Sequence, residues 1–452
     1  MFYLLKKKKM NLITDQNKSI AQWAMDIALK NGCSASRVSL TVANNNSFEY
    51  RNSQLDKLHQ SSENKLYIEL YVDGRYGTLS TNRLEKSELE PFIKDGIAST
   101  RFLAPDLCRQ LPDMARYYKS DKNEDLDLFD PTFFDYSVDQ KLELAKATVE
   151  EIYGTDQRIV SVVSSYDDGC GAEYMVASNG FEGEIQDTAF SLTSEVALKT
   201  AGDARPESYW YDSKLYWSDL VKEGISQKAF KRALQKLGQT KIRSGKYNLI
   251  LDNTVSMKLL SPLISAMYGS AIQQKSTFLL DRLGDKIVSD KLTVTDNPHL
   301  KRSFGSRWYD GEGIATKDQV LIDKGVLNTY FVDTYNALKL DILPTIASPS
   351  IIKLEHGTRN HTQLLELMHH GIWVTGFNGG NTNSTTGDFS FGIEGFWVEN
   401  GIATTPISEM NITGNVLDLW NNLVEVGNDP LSLNSSRQIP SLLFENVSFS
   451  GL

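Results

Sequence analysis

The sequence predicts an α+β protein in which an N-terminal domain of helices on an antiparallel sheet precedes a mostly β, barrel-like, glycine-rich C-terminal domain. Three observations carry this reading. Apolar residues recur at helical spacing from Ser19, the pattern alternates with period two between residues 37 and 80, and beyond Lys286 short apolar runs are separated by glycine turns. The 452 residues, 40% hydrophobic and 23% charged, have the composition of an ordinary globular chain long enough for two or three domains.

The opening MFYLLKKKKM puts its apolar residues before the lysines, and no apolar stretch of signal-peptide length follows. Residues 1–18 are therefore read as a disordered or misassigned start, with translation from Met10 the simplest account. Ile20, Trp23, Ala24, Ile27 and Ala28 then share one helical face, and Gly32 stops the helix. Leu66, Ile68, Leu70 and Val72 alternate with Tyr67, Glu69 and Tyr71 before Asp73-Gly74, a hairpin turn, in a sheet expected to hold four or five short strands. Residues 86–102 are helical in pattern, 104–130 form a polar loop, and 138–153 return to helical spacing. Strand-like runs cover 158–165, 173–178 and 188–201, completing an N-terminal domain over 19–214.

A Lys- and Glu-rich helix over 215–239 connects this domain to a second one over 240–452. There 246–251 reads as a strand, 254–274 as a buried helix and 363–370 as a helix closed by His369 and His370, whose charge suits its carbonyl end. The longest uncharged apolar stretch, 259–274, is shorter than the ~20 residues that cross a bilayer. No membrane association is expected.

Charge narrows the function. Lys plus Arg total 47 against 57 for Asp plus Glu, giving a net charge of −10 and a pI near 5.3, which offers phosphate backbones no general attraction. Direct nucleic-acid binding is not expected. Cys33, Cys108 and Cys170 are too few and too scattered for a disulfide scaffold or a cysteine zinc site, so reduced thiols in a cytoplasmic protein are expected. His356 and His361 stand five apart beside Glu355, but Gly357 separates them, whereas a helical zinc motif sets two imidazoles one turn apart. A surface loop leading into a helix start competes with a metal site there. No nucleophile elbow, Walker loop or dinucleotide fingerprint is present. The glycine-dense tract from Gly371 to Asn400 has two readings: an open strand edge that takes an extended peptide, or a barrel whose corners need glycine.

Residues 309–330, YDGEGIATKDQVLIDKGVLNTY, are followed by Thr334-Tyr335-Asn336-Ala337, Thr386-Gly387-Asp388-Phe389-Ser390, Gly392 and the run from Gly395 to Gly401. Pro406, Gly414-Asn415 and Gly427-Asn428-Asp429 complete the series. In order and spacing these resemble the C-terminal half of the TldD/PmbA family, also called modulator of DNA gyrase. The resemblance implies two branches: TldD-like chains with a His-Glu-x-x-x-His zinc helix and a later cysteine, and TldE/PmbA-like chains that lack them and pair with the zinc-bearing chain as a heteromeric metallopeptidase. Aligned on Leu259-Leu260 and Gly284-Asp285, Ser261, Pro262 and Ala266 stand where His, Glu and His would, and residues 434–452 contain no cysteine. The resemblance thus places the chain in the zinc-less branch, with no cofactor of its own, zinc expected in a TldD-like partner, and unfolded or short peptides as substrate. Gly379, Gly380, Thr386, Gly387, Asp388 and Ser390 are the candidate peptide groove. One departure is Asp310-Gly311-Glu312-Gly313, where glycine replaces one of the two acidic residues usual before Glu-Gly. Two rivals remain: a homo-oligomeric, protein-binding regulator that acts without proteolysis, and a stand-alone peptidase using a non-zinc nucleophile or a metal at His356 and His361.

Overall fold

In a computed structural model the first helix, α1 (Asp15–Lys30), begins where Thr14 and Asn17 form a reciprocal cap: the Thr14 hydroxyl accepts from the Asn17 N–H, and the Asn17 side chain accepts from the Thr14 N–H. The helix therefore starts four residues before the expected Ser19. The structure describes residues 11–120 and 125–452, so most of the expected 1–18 start lies outside the described residues. The chain divides into two units, one running up to Leu234 and including Gly311–Ala315, the other made of Gln235–Asp310 and Thr316–Leu452.

The first unit carries β1 (Ala35–Arg51), β2 (Gln54–Val72), β3 (Arg75–Thr81), α2 (Lys86–Thr100), α3 (Val138–Glu150), β4 (Ile159–Ala177), β5 (Glu182–Leu198) and β6 (Glu207–Lys214). Its six strands form one antiparallel sheet in the order β3-β2-β1-β4-β5-β6. The expected hairpin closes at Asp73 and Gly74, both at positive φ, as a two-residue turn requires. Four of the strands are far longer than expected. The runs 158–165 and 173–178 are one strand, β4, because Tyr166, Asp168, Cys170 and Ala172 continue the inward alternation through a segment whose glycines and aspartates hide it. Helices α1 and α2 cover one part of the sheet, burying Ile20, Ala24, Leu40, Ile68 and Ile97. Near α3 a second cluster gathers Phe48, Phe133, Tyr166 and Phe190.

The helix expected over 215–239 is shorter. Only α4 (Ile225–Gln235) is regular, after Gly224 at positive φ, while Trp217–Asp219 is a single 3-10 turn. Leu215 and Tyr216 are buried, and the Trp217 N–H is held by Asp130, so their apolar spacing reflects packing rather than a helix.

In the second unit β7 (Gly245–Leu251) is followed by α5 (Met257–Ser265) and α6 (Gly269–Gln273). The single helix expected over 254–274 is broken because Tyr268 is extended and the main chain around it pairs with Phe331. A small five-stranded sheet contains β8 (Val294–Asp296), β9 (Gln319–Asp323), β10 (Val326–Leu327), β11 (Ile352–Leu354) and β16 (Arg437–Gln438). Helix α7 (Thr334–Leu340) lies between β10 and β11 in the chain, and α8 (His361–Met368) after β11. Helix α8 starts two residues earlier than expected, because Asn360 and Gln363 cap it reciprocally, and ends at Met368 with His369 at positive φ.

The barrel is made by β12 (Gly371–Thr382), β13 (Asp388–Glu399), β14 (Ile402–Asn415), β7 and β17 (Leu442–Ser450); α9 (Val416–Asn421) and β15 (Leu423–Val426) complete the unit. The order is β14-β13-β12-β7-β17-β15, and pairing of β14 with β17 closes five strands on themselves. At Gly395 a methyl group would sit 2.0 Å from the Trp373 carbonyl oxygen, so the β12–β13 contact requires glycine. The core joins barrel residues such as Ile393 and Phe444 to α5 and to Trp420, whose indole donates to the Leu259 carbonyl at 3.1 Å. Among the described residues no helix is long and apolar enough to cross a membrane.

Candidate functional site

Helix α5 is fixed from both sides. Ser256, fully buried before it, places its hydroxyl 2.8 and 2.9 Å from the carbonyls of Asp252 and Pro440. Leu259, Leu260, Leu263 and Ile264 bury the inner face, so Lys258, Ser261, Pro262 and Ser265, spaced i, i+3, i+4 and i+7, share the other. That face, with Ala266, lines a cavity of about 380 Å³.

The facing wall is β12. Its pairing with β7 stops at Val374 opposite Leu251, while its pairing with β13 continues to Thr382 opposite Phe389. Residues 376–382 therefore keep one strand edge without a strand partner among the described residues. Within this stretch Asn378 and Gly379 form a bulge, and Gly379 and Gly380 have φ of 83° and 100°. At Gly380 a methyl group would also lie 2.2 Å from the Ser390 carbonyl oxygen. Gly380, Asn381 and Thr382 line the cavity, and the buried Thr382 hydroxyl has no hydrogen-bond partner. Phe278 and Phe391 supply apolar wall, and the Lys258 ammonium stands 5.0 Å from the Phe391 ring centroid.

The structure thus brings Ser261, Pro262 and Ala266 together with Gly380 on one cavity, and Gly379 lies beside it in the bulge. The other predicted groove residues are placed differently. Thr386, Gly387 and Asp388 form the turn into β13: the Thr386 hydroxyl donates to Asp388 at 2.7 Å, and the Asn415 amide donates to the Thr386 carbonyl and the Asp388 carboxylate. The Asn415 bond, then the Thr386 bond, hold the Asp388 carboxyl below its ordinary value. Ser390 is exposed on β13 opposite Asn381.

His356 and His361 lie elsewhere: His356 stands in the loop between β11 and α8 and His361 at the helix start, as expected, but both are half-buried rather than fully at the surface. His361 opens α8 with its ring 4.6 Å from that of Trp373 and its Nδ1 3.4 Å from the Ser441 hydroxyl, which contacts Asp429 at 2.8 Å. Burial pushes both imidazoles below their ordinary values, and the buried Nε2 of each has no partner. Cys33 and Cys170 are buried free thiols, Cys33 held up at about 11 chiefly by desolvation.

The cavity offers hydroxyls, one amide and one ammonium, with no imidazole, thiolate or carboxylate among its lining residues. Zinc is held by those missing groups, so this donor set does not fit it. Among the described residues no three His, Cys, Asp or Glu side chains are grouped to hold a metal. Sequence reasoning missed Lys258, Phe278 and Asn381. The only signal for Lys258 was its spacing, one helical turn before Ser261 and Pro262.

Comparison with known proteins gives this geometry a lineage. The family profile described as PmbA/TldA metallopeptidase C-terminal domain matches residues 244–451, and that of the central domain matches 131–237. The chain belongs to the PmbA/TldD family. Similar relatives include Metalloprotease PmbA of Escherichia coli O157:H7, 31% identical over 89% of each chain. A homologue of PmbA from Haemophilus influenzae is 28% identical over 97% of this chain and 98% of its own. A crystal structure from Bacteroides thetaiotaomicron, described as a candidate modulator of DNA gyrase, is 57% identical with a TM-score of 0.95, covering 98% of this chain and all of the other. TldE from Thermococcus kodakarensis, 20% identical with a TM-score of 0.80 over 96% of this chain and all of its own, shares the fold. The metalloprotease names of PmbA/TldD relatives imply a metal, which the cavity beside α5 lacks the ligands to hold.

Proposed function

We propose that this PmbA/TldD chain is the non-zinc-binding, TldE/PmbA-like subunit of a cytoplasmic, heteromeric metallopeptidase that acts on unfolded or short peptides. One observation carries the reading: the face of α5 bearing Ser261, Pro262 and Ala266 opens on the same cavity as the unpaired edge of β12. A strand edge recognises any extended peptide through its main chain, and a folded protein has no free main chain to offer. This chain would hold substrate, and a TldD-like paralogue would supply the zinc. The metalloprotease names of the relatives support the peptidase class.

The test measures zinc content and hydrolysis of an unstructured peptide, first with the purified chain and then after co-expression with its TldD-like paralogue. The expected result is a metal-free, inert chain and an assembled pair that contains zinc and cleaves. Zinc binding or hydrolysis by the chain alone would overturn the assignment. The description of the Bacteroides structure as a modulator of DNA gyrase supports a second reading, a regulator without proteolysis, which we take to be homo-oligomeric and protein-binding. That reading gains if the chain self-associates and ignores the paralogue.

A further inference from the structure

We propose that the cavity between α5 and the free edge of β12 binds a peptide carboxylate through Lys258. The inference rests on the reading of this cavity as a peptide groove and adds the chemical class of group it selects.

Charge balance is the first argument. Among the described residues Lys258 is the one cationic residue lining the cavity, and no carboxylate lines it. Among the described residues its ammonium makes no ion pair; its contact is the face of Phe391. A ring quadrupole attracts a cation without neutralising it, so the ammonium keeps its charge and its three N–H donors for a ligand. The neighbouring groups are suited to an acceptor-only ligand. Ser261, Ser265, Ser276 and Ser384 bring hydroxyls and Asn381 an amide, all able to donate. Phe278, Phe391 and Pro262 supply the apolar part of the lining between these donors.

Number and shape narrow the anion. A phosphate, with nearly two charges, is recognised by clustered cations and most often by arginine, whereas a single lysine matches one unit of negative charge. The strand edge at 376–382 reaches the same cavity at Gly380, Asn381 and Thr382, so main chain laid on it would bring a carboxylate within reach of α5. A peptide carries such a group at its C-terminus or on an Asp or Glu side chain.

The experiment titrates the full chain with a fluorescent, unstructured hexapeptide that lacks acidic side chains, prepared as the free acid and as the C-terminal amide. A third peptide is amidated and carries one glutamate. The free acid is expected to bind at least tenfold more tightly than the amide. Lys258→Met should bring the free acid down to the affinity of the amide, and Lys258→Arg should restore the preference. Recovery of tight binding by the glutamate peptide would show that a side-chain carboxylate serves as well, and failure to recover would show that only the chain terminus does; either outcome supports the inference. Equal binding of the free acid, the amide and the glutamate peptide by the wild-type chain overturns the inference and leaves the peptide groove standing. Absence of binding by all three peptides overturns both. Lys258 is exposed, so its substitution leaves the core intact.

Discussion

Lys141 shows what a single side chain contributes here. Its ammonium lies 2.5 Å from the Asp168 carboxylate, with side-chain exposures of 6% and 0%, and Tyr166 and Asn46 donate to the same carboxylate. A buried pair of this kind contributes little over an apolar equivalent, but removing one partner strands the other charge. Lys141→Met should therefore lower the unfolding free energy by about 3–5 kcal/mol, measured by urea denaturation. An effect below about 1 kcal/mol would mean that Asp168 is satisfied without it. His361 makes a prediction about pH. Burial holds its folded-state imidazole below the ordinary 6.5, against the opposing pull of Asp252 and Asp429. The unfolded chain then takes up the proton first, so this contribution to stability is complete above about pH 6.5 and is lost as pH falls toward the lower folded value. Unfolding free energy should decline from pH 7 to pH 5, by at most about 1.4 kcal/mol per pH unit for each such histidine. His361→Phe should decline less steeply, with half-buried His356 and His299, both also held low by burial, left to supply the rest; identical slopes would refute the assignment.

At the scale of elements, the glycine tract is decided by close approach. At Gly395 the missing side chain admits the Trp373 carbonyl, and a methyl group there forces β12 and β13 apart. Gly395→Ala should cost about 1–3 kcal/mol, seen as a lowered denaturation midpoint with an unchanged slope. A neutral result would show that the barrel flexes at this pair. Elements with local causes were legible: Asp73-Gly74 announces its hairpin, and Ile20, Trp23, Ala24 and Ile27 announce α1. Elements shaped by distant partners were not. The spacing of residues 254–274 is helical throughout, and only Phe331, some sixty residues on, extends the chain at Tyr268. The aspartates and glycines of β4 read as a break, because the strands that continue through them, β1 and β5, are set by register and not by local sequence. The candidate site follows the same rule. Ser261, Pro262 and Ala266 could be placed by resemblance, but the edge facing them exists because β7 ends its pairing at Leu251 while β13 continues along β12. No local pattern encodes where one strand outlasts another.

For the whole molecule, charge is the property that separates the proposed function from its rival. The chain carries ten more acidic than basic side chains and has a pI near 5.3. Association with duplex DNA draws its free energy from cations that displace counterions along the phosphate backbone, and a chain of this balance meets that backbone with repulsion. Screening at 0.15 M salt confines such effects to about 8 Å, so only a dense local basic patch could offset the net charge. A regulator of gyrase built on this chain would thus have to contact the enzyme rather than its DNA. Fluorescence anisotropy with a labelled duplex at 0.15 M salt should show no binding up to micromolar protein. Lowering the salt to 0.05 M should change little, since few phosphate contacts are available to release ions. Binding that tightens steeply between those two salt concentrations would reveal a basic surface strong enough to overcome the overall charge, and the regulator reading would then gain a direct route to DNA. Weak binding at both, combined with zinc-dependent cleavage by the co-expressed pair, would leave peptide hydrolysis as the activity to which this subunit contributes.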